Sequence, residues 1–209
     1  LLNVDDVESI EIARGSYSGV YGNSAFGGVV NITTRQAAEE KFRPFGTFEY
    51  GMNGLFDFAG GASGTIPDTV TGMDGDVKYV FSMARKLAGN IRSNSEIRQT
   101  HVLNKWGYVW PDDVASTQIQ ISYANNEMSN PGELTVEQFH HIPEISTKPM
   151  DGRGFDNIVL QSDSHIRLFD KLNAKLNTYR RVENIDFTTT SISSTPFPIR
   201  NVTQFLTTK

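Results

Sequence analysis

Cysteine is absent from all 209 residues, so neither a disulfide framework nor a thiolate metal site can form. No run of about 18 apolar residues occurs, which excludes an ordinary transmembrane helix. It does not exclude a membrane barrel, whose strands alternate and are never apolar throughout. Nor is there a basic footprint: 19 Lys and Arg stand against 24 Asp and Glu, for a net charge of −5, and no nucleic-acid partner is expected. Neither a Gly-x-x-x-x-Gly-Lys-Ser/Thr nor a Gly-x-Gly-x-x-Gly loop is present, and no serine or histidine stands in a nucleophile arrangement. Enzymatic activity and a bound cofactor are therefore not expected. The chain opens on Leu1-Leu2-Asn3-Val4 and stops on Thr207-Thr208-Lys209, and both ends look cut, so it reads as an internal fragment.

What is present begins with Ile10–Arg35. Two β-branched runs, Ile10-Glu11-Ile12 and Val29-Val30-Asn31-Ile32-Thr33, flank a segment with glycines at 15, 19, 22, 27 and 28. Glycines cluster where backbone turns tightly or approaches other backbone, so a strand, a glycine-rich turn and a second strand are predicted. Ahead of them, Asp5-Asp6-Val7-Glu8 predicts one helical turn, with Asp5 as N-cap and Glu8 completing a capping box. Gln36–Lys41 is a polar connector.

From Phe42 the texture changes to runs of about ten residues with period-two alternation. Seven strands are predicted: Phe42–Met52, Leu55–Ile66, Val77–Leu87, Arg98–Trp110, one around Gln118–Tyr123, Ile158–Phe169 and Ala174–Phe187. Thr188–Lys209 shows no obvious strand. Asn53-Gly54 is a hairpin turn signal. Phe48 and Tyr50 oppose Thr47 and Glu49; Tyr79, Phe81 and Met83 oppose Lys78, Ser82 and Lys86; Gln161, Asp163, His165 and Arg167 oppose Leu160, Ile166 and Leu168. Trp106, Tyr108 and Trp110 fall in step beside the Pro111-Asp112-Asp113 turn, as in the aromatic girdle of a membrane barrel. Arg180 and Arg181 occupy both faces and mark the end of an apolar band. Alternation equally suits a soluble β-sandwich, in which Tyr79, Phe81, Ile119 and Ile121 pack inward against a second sheet, or a small complete barrel of about eight strands, structural or hydrolytic.

The motifs discriminate further. Ile10-Glu11-Ile12-Ala13-Arg14-Gly15, Val20-Tyr21-Gly22 and Gly27-Gly28-Val29-Val30-Asn31-Ile32-Thr33-Thr34 resemble the closing segment of the plug domain of TonB-dependent outer-membrane receptors. Asn130-Pro131-Gly132-Glu133-Leu134-Thr135 is similar to a loop segment of the ferric-chelate members. The resemblance implies a mainly β fold: the C-terminal part of a plug (1–36), a linker (37–41), and about seven antiparallel strands (42–209) of an incomplete transmembrane barrel of about 22 strands. It implies a Gram-negative outer-membrane location, lipid and an inner-membrane TonB complex as partners, and import of a ferric siderophore or another metal chelate. It further implies that Glu11 and Arg14 tie plug to barrel wall, their partners lying beyond Lys209, and that Gly15, Gly22, Gly27 and Gly28 shape the plug turns. Asn130, Gly132, Glu133, His140 and His141 would then lie on a ligand-facing outer loop. The two adjacent histidines lack a third ligand at good spacing, so no metal site is predicted there.

Overall fold

Alternating side chains demand a partner strand on each side, and in this chain the pairing is met by consecutive strands running antiparallel. The structure, a computed structural model, describes residues 3–17, 19, 25, 27–169, 172–191 and 199–208. The strands are β1 (Val7–Arg14), β2 (Gly28–Thr34), β3 (Arg43–Tyr50), β4 (Phe56–Ile66), β5 (Asp76–Ala88), β6 (Ile97–Val109), β7 (Ala115–Ser129), β8 (Gly152–Phe169), β9 (Leu172–Ser191) and β10 (Ile199–Thr208). Two short helices, α1 (Asp68–Thr71) and α2 (Val136–His141), lie in connections. β1 and β2 form a two-stranded sheet, and β3 to β10 form one eight-stranded antiparallel sheet in sequence order.

Several details differ from the sequence reading. Val4–Asp6 forms a single 3-10 turn whose N-cap is Asn3, not Asp5. Glu8 already belongs to β1, and its carboxylate accepts from the Gln36 amide at 3.0 Å instead of closing a capping box. Pairing of its neighbours Val7 and Ser9 with β2 has drawn the segment that local sequence assigned to a helix into a strand. β7 and β8 extend to Ser129 and Gly152, which pair with each other, so the connection between them is shorter than the sequence suggested. β10 is an eighth strand where none was predicted; it pairs along β9, with Thr203 opposite Phe187, an interaction that local alternation does not reveal. Beyond Arg180, which sits opposite Leu160, the outward row has one more apolar pair, Ile158 and Val182, before Asp156 and Asn184, so it ends one pair past the arginines. The Asn53-Gly54 turn is as predicted, with φ of 58° and 70°.

Register sorts the two faces of the large sheet. Rows on one face read Ser63, Val80, Lys105, Gln120; then Gly61, Ser82, Leu103, Ser122; then Ala59, Ala84, His101, Ala124. Leu103 and Val80 are its most buried apolar side chains, and the rest is small or polar. Against this inner face lies the base of the β1–β2 hairpin. The opposite, outer face carries Tyr79, Phe81, Met83, Trp106, Ile119, Ile121, Ile158, Leu160, Ile166 and Leu168. Phe81, Ile119 and Ile121 are 45%, 48% and 51% exposed. The large apolar residues thus point away from the packed side.

Connections leave the large sheet on its two edges in turn. On one edge lie Gly51–Leu55, the 89–96 loop and the long 130–151 loop; on the other lie the 67–75 and 110–114 turns.

Candidate functional site

The hairpin meets the sheet at its base. The β1–β2 ladder ends with Val7 opposite Thr34, after a register shift between Val7 and Ser9. Where the ladder stops, side chains of the large sheet take over its unpaired backbone. Lys105 reaches up from the middle of β6 and donates to the carbonyls of Thr34 (3.1 Å) and Arg35 (2.8 Å). It is only 3% exposed, so its charge is stabilised by those oxygens rather than by water. Two residues before Leu103, on the same face, the His101 ring lies with Nδ1 3.0 Å from Oδ2 of Asp6. Asp6 is fully buried and His101 6% exposed. The approach is off the hydrogen-bond direction: among the described residues, both carboxylate oxygens and both ring nitrogens have no hydrogen-bond partner.

Arg35 completes the base. Its amide donates to the Asp6 carbonyl (2.7 Å), its guanidinium to the Asp5 carbonyl (2.9 Å), and the guanidinium carbon stands 4.0 Å from the centre of the Phe45 ring on β3. The connector is tied down as well, since Thr65 on β4 binds the carbonyls of Glu40 and Ala38 and the Tyr79 hydroxyl donates to that of Lys41. Clefts open beside the base. One of about 330 Å³ includes Asn3, Asp57, Lys86, Gln99 and His101; another, of about 270 Å³, includes Thr34, Lys105, Gln118, Gln161 and Asp163.

A second ordered region is formed by the 89–96 and 130–151 loops. Arg92 donates to the carbonyls of Ile145 (3.2 Å) and Pro131 (3.1 Å), and the Asn94 amide approaches those of Asn130, Lys148 and Asp151 at 2.7–3.0 Å. A capping box between Thr135 and Gln138 starts α2.

Of the residues singled out from sequence, Glu11 and Arg14 are exposed on the hairpin, and Glu11 accepts from the Asn31 side chain at 3.2 Å. The contacts that join hairpin and sheet come instead from Asp6, Thr34, Arg35, His101 and Lys105. Gly28 has φ of +146°, and a Cβ there would lie 2.5 Å from the Ala13 carbonyl oxygen; Gly15 has φ of +121°, while Gly27 stands in open space. Gly22, with the Val20-Tyr21-Gly22 motif, lies outside the described residues. Asn130 and Gly132 build the loop itself, the Asn130 side chain accepting from the Gly132 amide at 3.1 Å. The Glu133 carbonyl accepts from Thr147, and His140 and His141 are exposed on α2.

No protein-family model matches the chain. Among the described residues, no group of three or more His, Asp and Glu gathers as a metal site. The junction joins two segments of the chain: Lys105 of the sheet donates to backbone carbonyls at the hairpin's base, and Phe45 of the sheet stacks on the guanidinium of Arg35. Sequence reasoning missed His101 and Lys105. Their one signal was parity with Leu103 at inward positions of β6; their partners are backbone carbonyls and a carboxylate far away in the chain, which leave no local pattern.

Proposed function

We propose that this chain is the closing hairpin of a plug and the first wall strands of a TonB-dependent outer-membrane receptor that imports a ferric siderophore or a similar metal chelate. The observation that carries the reading is the inverted sheet: Phe81, Ile119, Ile121, Ile158 and Leu160 are exposed on the outer face, while Ser63, Ser82, His101, Lys105 and Ser122 are buried on the other. Such inversion suits a wall with lipid outside and a polar, filled interior. A soluble sandwich would need a second sheet over Phe81, Ile119 and Ile121, and no described residue covers that face.

Dimensions agree. Outward apolar residues on β8 run from Ile158 to Ile166, ~26 Å along the strand and ~20 Å in height at a tilt of ~40°, close to the apolar band of outer-membrane barrels. Within it Thr117 and Ser164, directly opposite each other, join their hydroxyls at 2.9 Å, so neither meets lipid unpaired. Near the turn edge the Tyr108 and Trp110 rings lie 4.6 Å apart, suited to a headgroup girdle. The one long connection, 130–151, braced by Arg92 and Asn94, lies on the edge away from that girdle and fits an extracellular side. In this reading the protein transports rather than catalyses. Binding energy and the force from the TonB complex shift the plug between states of different ligand affinity.

The test is uptake. The full reading frame, expressed in iron-starved Gram-negative cells, should fractionate with the outer membrane and support uptake of radiolabelled ferric chelates that stops when TonB is deleted. A protein recovered in the soluble fraction, or uptake indifferent to TonB, would refute the proposal.

A further inference from the structure

We infer that Lys105 and His101 are positioning residues of a latch that fixes the base of the β1–β2 hairpin on the sheet while the body of the hairpin moves. The two ends of the hairpin are held very differently. At the base, buried Lys105 binds two successive carbonyls, buried Asp6 abuts His101, and Arg35 stacks on Phe45. Along the body, Ile10, Ile12, Val30 and Ile32 form one apolar patch, Ile10 opposite Ile32 and Ile12 opposite Val30, and all four are exposed. The Glu11–Asn31 contact there is internal to the hairpin and spans no gap to the sheet.

Between the two regions the ladder is already broken. The register shift between Val7 and Ser9 falls at Glu8, whose carboxylate holds the Gln36 amide. A bulge of this kind bends the strand and weakens its pairing locally. Displacement that peels β1 from β2, starting from the Arg14–Gly28 end, therefore meets its first strong resistance at Val7 and Thr34, where Arg35 holds the carbonyls of Asp5 and Asp6 and Lys105 fixes the Thr34–Arg35 backbone to the sheet. Taking the Lys105 ammonium away leaves the part-buried Arg35 carbonyl without its charged donor and the Thr34 carbonyl with only the Gln36 side chain, and the base loses its tether to β6.

Hydrogen exchange followed by mass spectrometry decides the matter, on the full chain in outer-membrane vesicles. At rest, peptides covering 3–8 and 34–38 should exchange at least about tenfold more slowly than those covering 9–14 and 28–33. Lys105→Met should abolish that ratio and Lys105→Arg, which retains donors, should restore it; His101→Gln should reduce it. If Lys105→Met fails to reach the membrane, Lys105→Gln serves as the disrupting variant. Equal exchange of base and body in the unaltered protein, or a ratio that survives the disrupting variant combined with His101→Gln, would overturn the latch. A second arm adds ferric chelate and an energised TonB complex, and it rests on the receptor function proposed above. Faster exchange of the body alone supports the latch; equal acceleration of the base overturns it. If energisation alters exchange nowhere, the receptor function fails while the resting comparison still decides the latch.

Discussion

Ile119 and Gln118 are neighbours on β7 that point to opposite faces, and a charge placed at each separates a membrane wall from a soluble sheet. Ile119 is 48% exposed and lies in the outward row of Tyr79, Trp106 and Ser162. From Tyr123 to Ala115 the outward side of β7 covers ~26 Å of strand, or ~20 Å of height at a tilt of ~40°, which puts Ile119 ~10 Å from either end. Arginine at that depth costs about 2–4 kcal/mol in a barrel wall. Gln118 faces the inner cleft, opposite Asp163, where an arginine gains a carboxylate and stays wet, so its cost should be within about 1 kcal/mol of zero. The assay is urea titration of the full chain folded into phospholipid vesicles, followed by the gel-mobility shift of the folded barrel. A clear loss for Ile119→Arg with little change for Gln118→Arg is expected. If Ile119→Arg is neutral, as an exposed surface position in water would be, or if Gln118→Arg costs as much, the assignment of faces to lipid and lumen is wrong.

Leu103→Ala removes the most buried side chain of the inner face and should cost about 2–5 kcal/mol, read from the same titration. Gly28→Ala must place a Cβ 2.5 Å from the Ala13 carbonyl oxygen at a φ of +146°; it should destabilise the hairpin by about 1–3 kcal/mol and speed protease cleavage within 9–33, leaving the sheet intact. Asn94→Ala removes the amide that gathers the carbonyls of Asn130, Lys148 and Asp151, and amide exchange across 130–151 should rise about tenfold with little change in the strands. Thr135→Ala breaks the capping box of α2 and should cost that helix about 1 kcal/mol, seen as faster exchange at 138–142 only.

Much of the sheet was legible because its code is local. Lys78, Ser82 and Lys86 against Tyr79, Phe81 and Met83 declare their faces within one strand, and the Asn53-Gly54 pair declares its turn. The failures share a cause. Asp5 to Glu8 carries a sound local helix signal, yet Val7 and Ser9 on either side of Glu8 pair with β2 and the Glu8 carboxylate binds the amide of Gln36, residues distant in sequence. β10 likewise draws on β9 for its pairing, and its own alternation is too weak to announce a strand.

By itself, then, the sequence determined the strand periodicity, the polarity of each face, the hairpin of β-branched residues around glycines, and the absence of thiol chemistry. These depend on residue type and on spacing within about ten positions, the range over which backbone geometry repeats. Only the tertiary structure decided which face is covered, how far β7 and β8 extend, and that Lys105 meets the carbonyl of Thr34 across 71 residues of chain. Long-range register brings those groups together, and a backbone carbonyl is the same at every residue, so no pattern in the sequence could have named it as a partner.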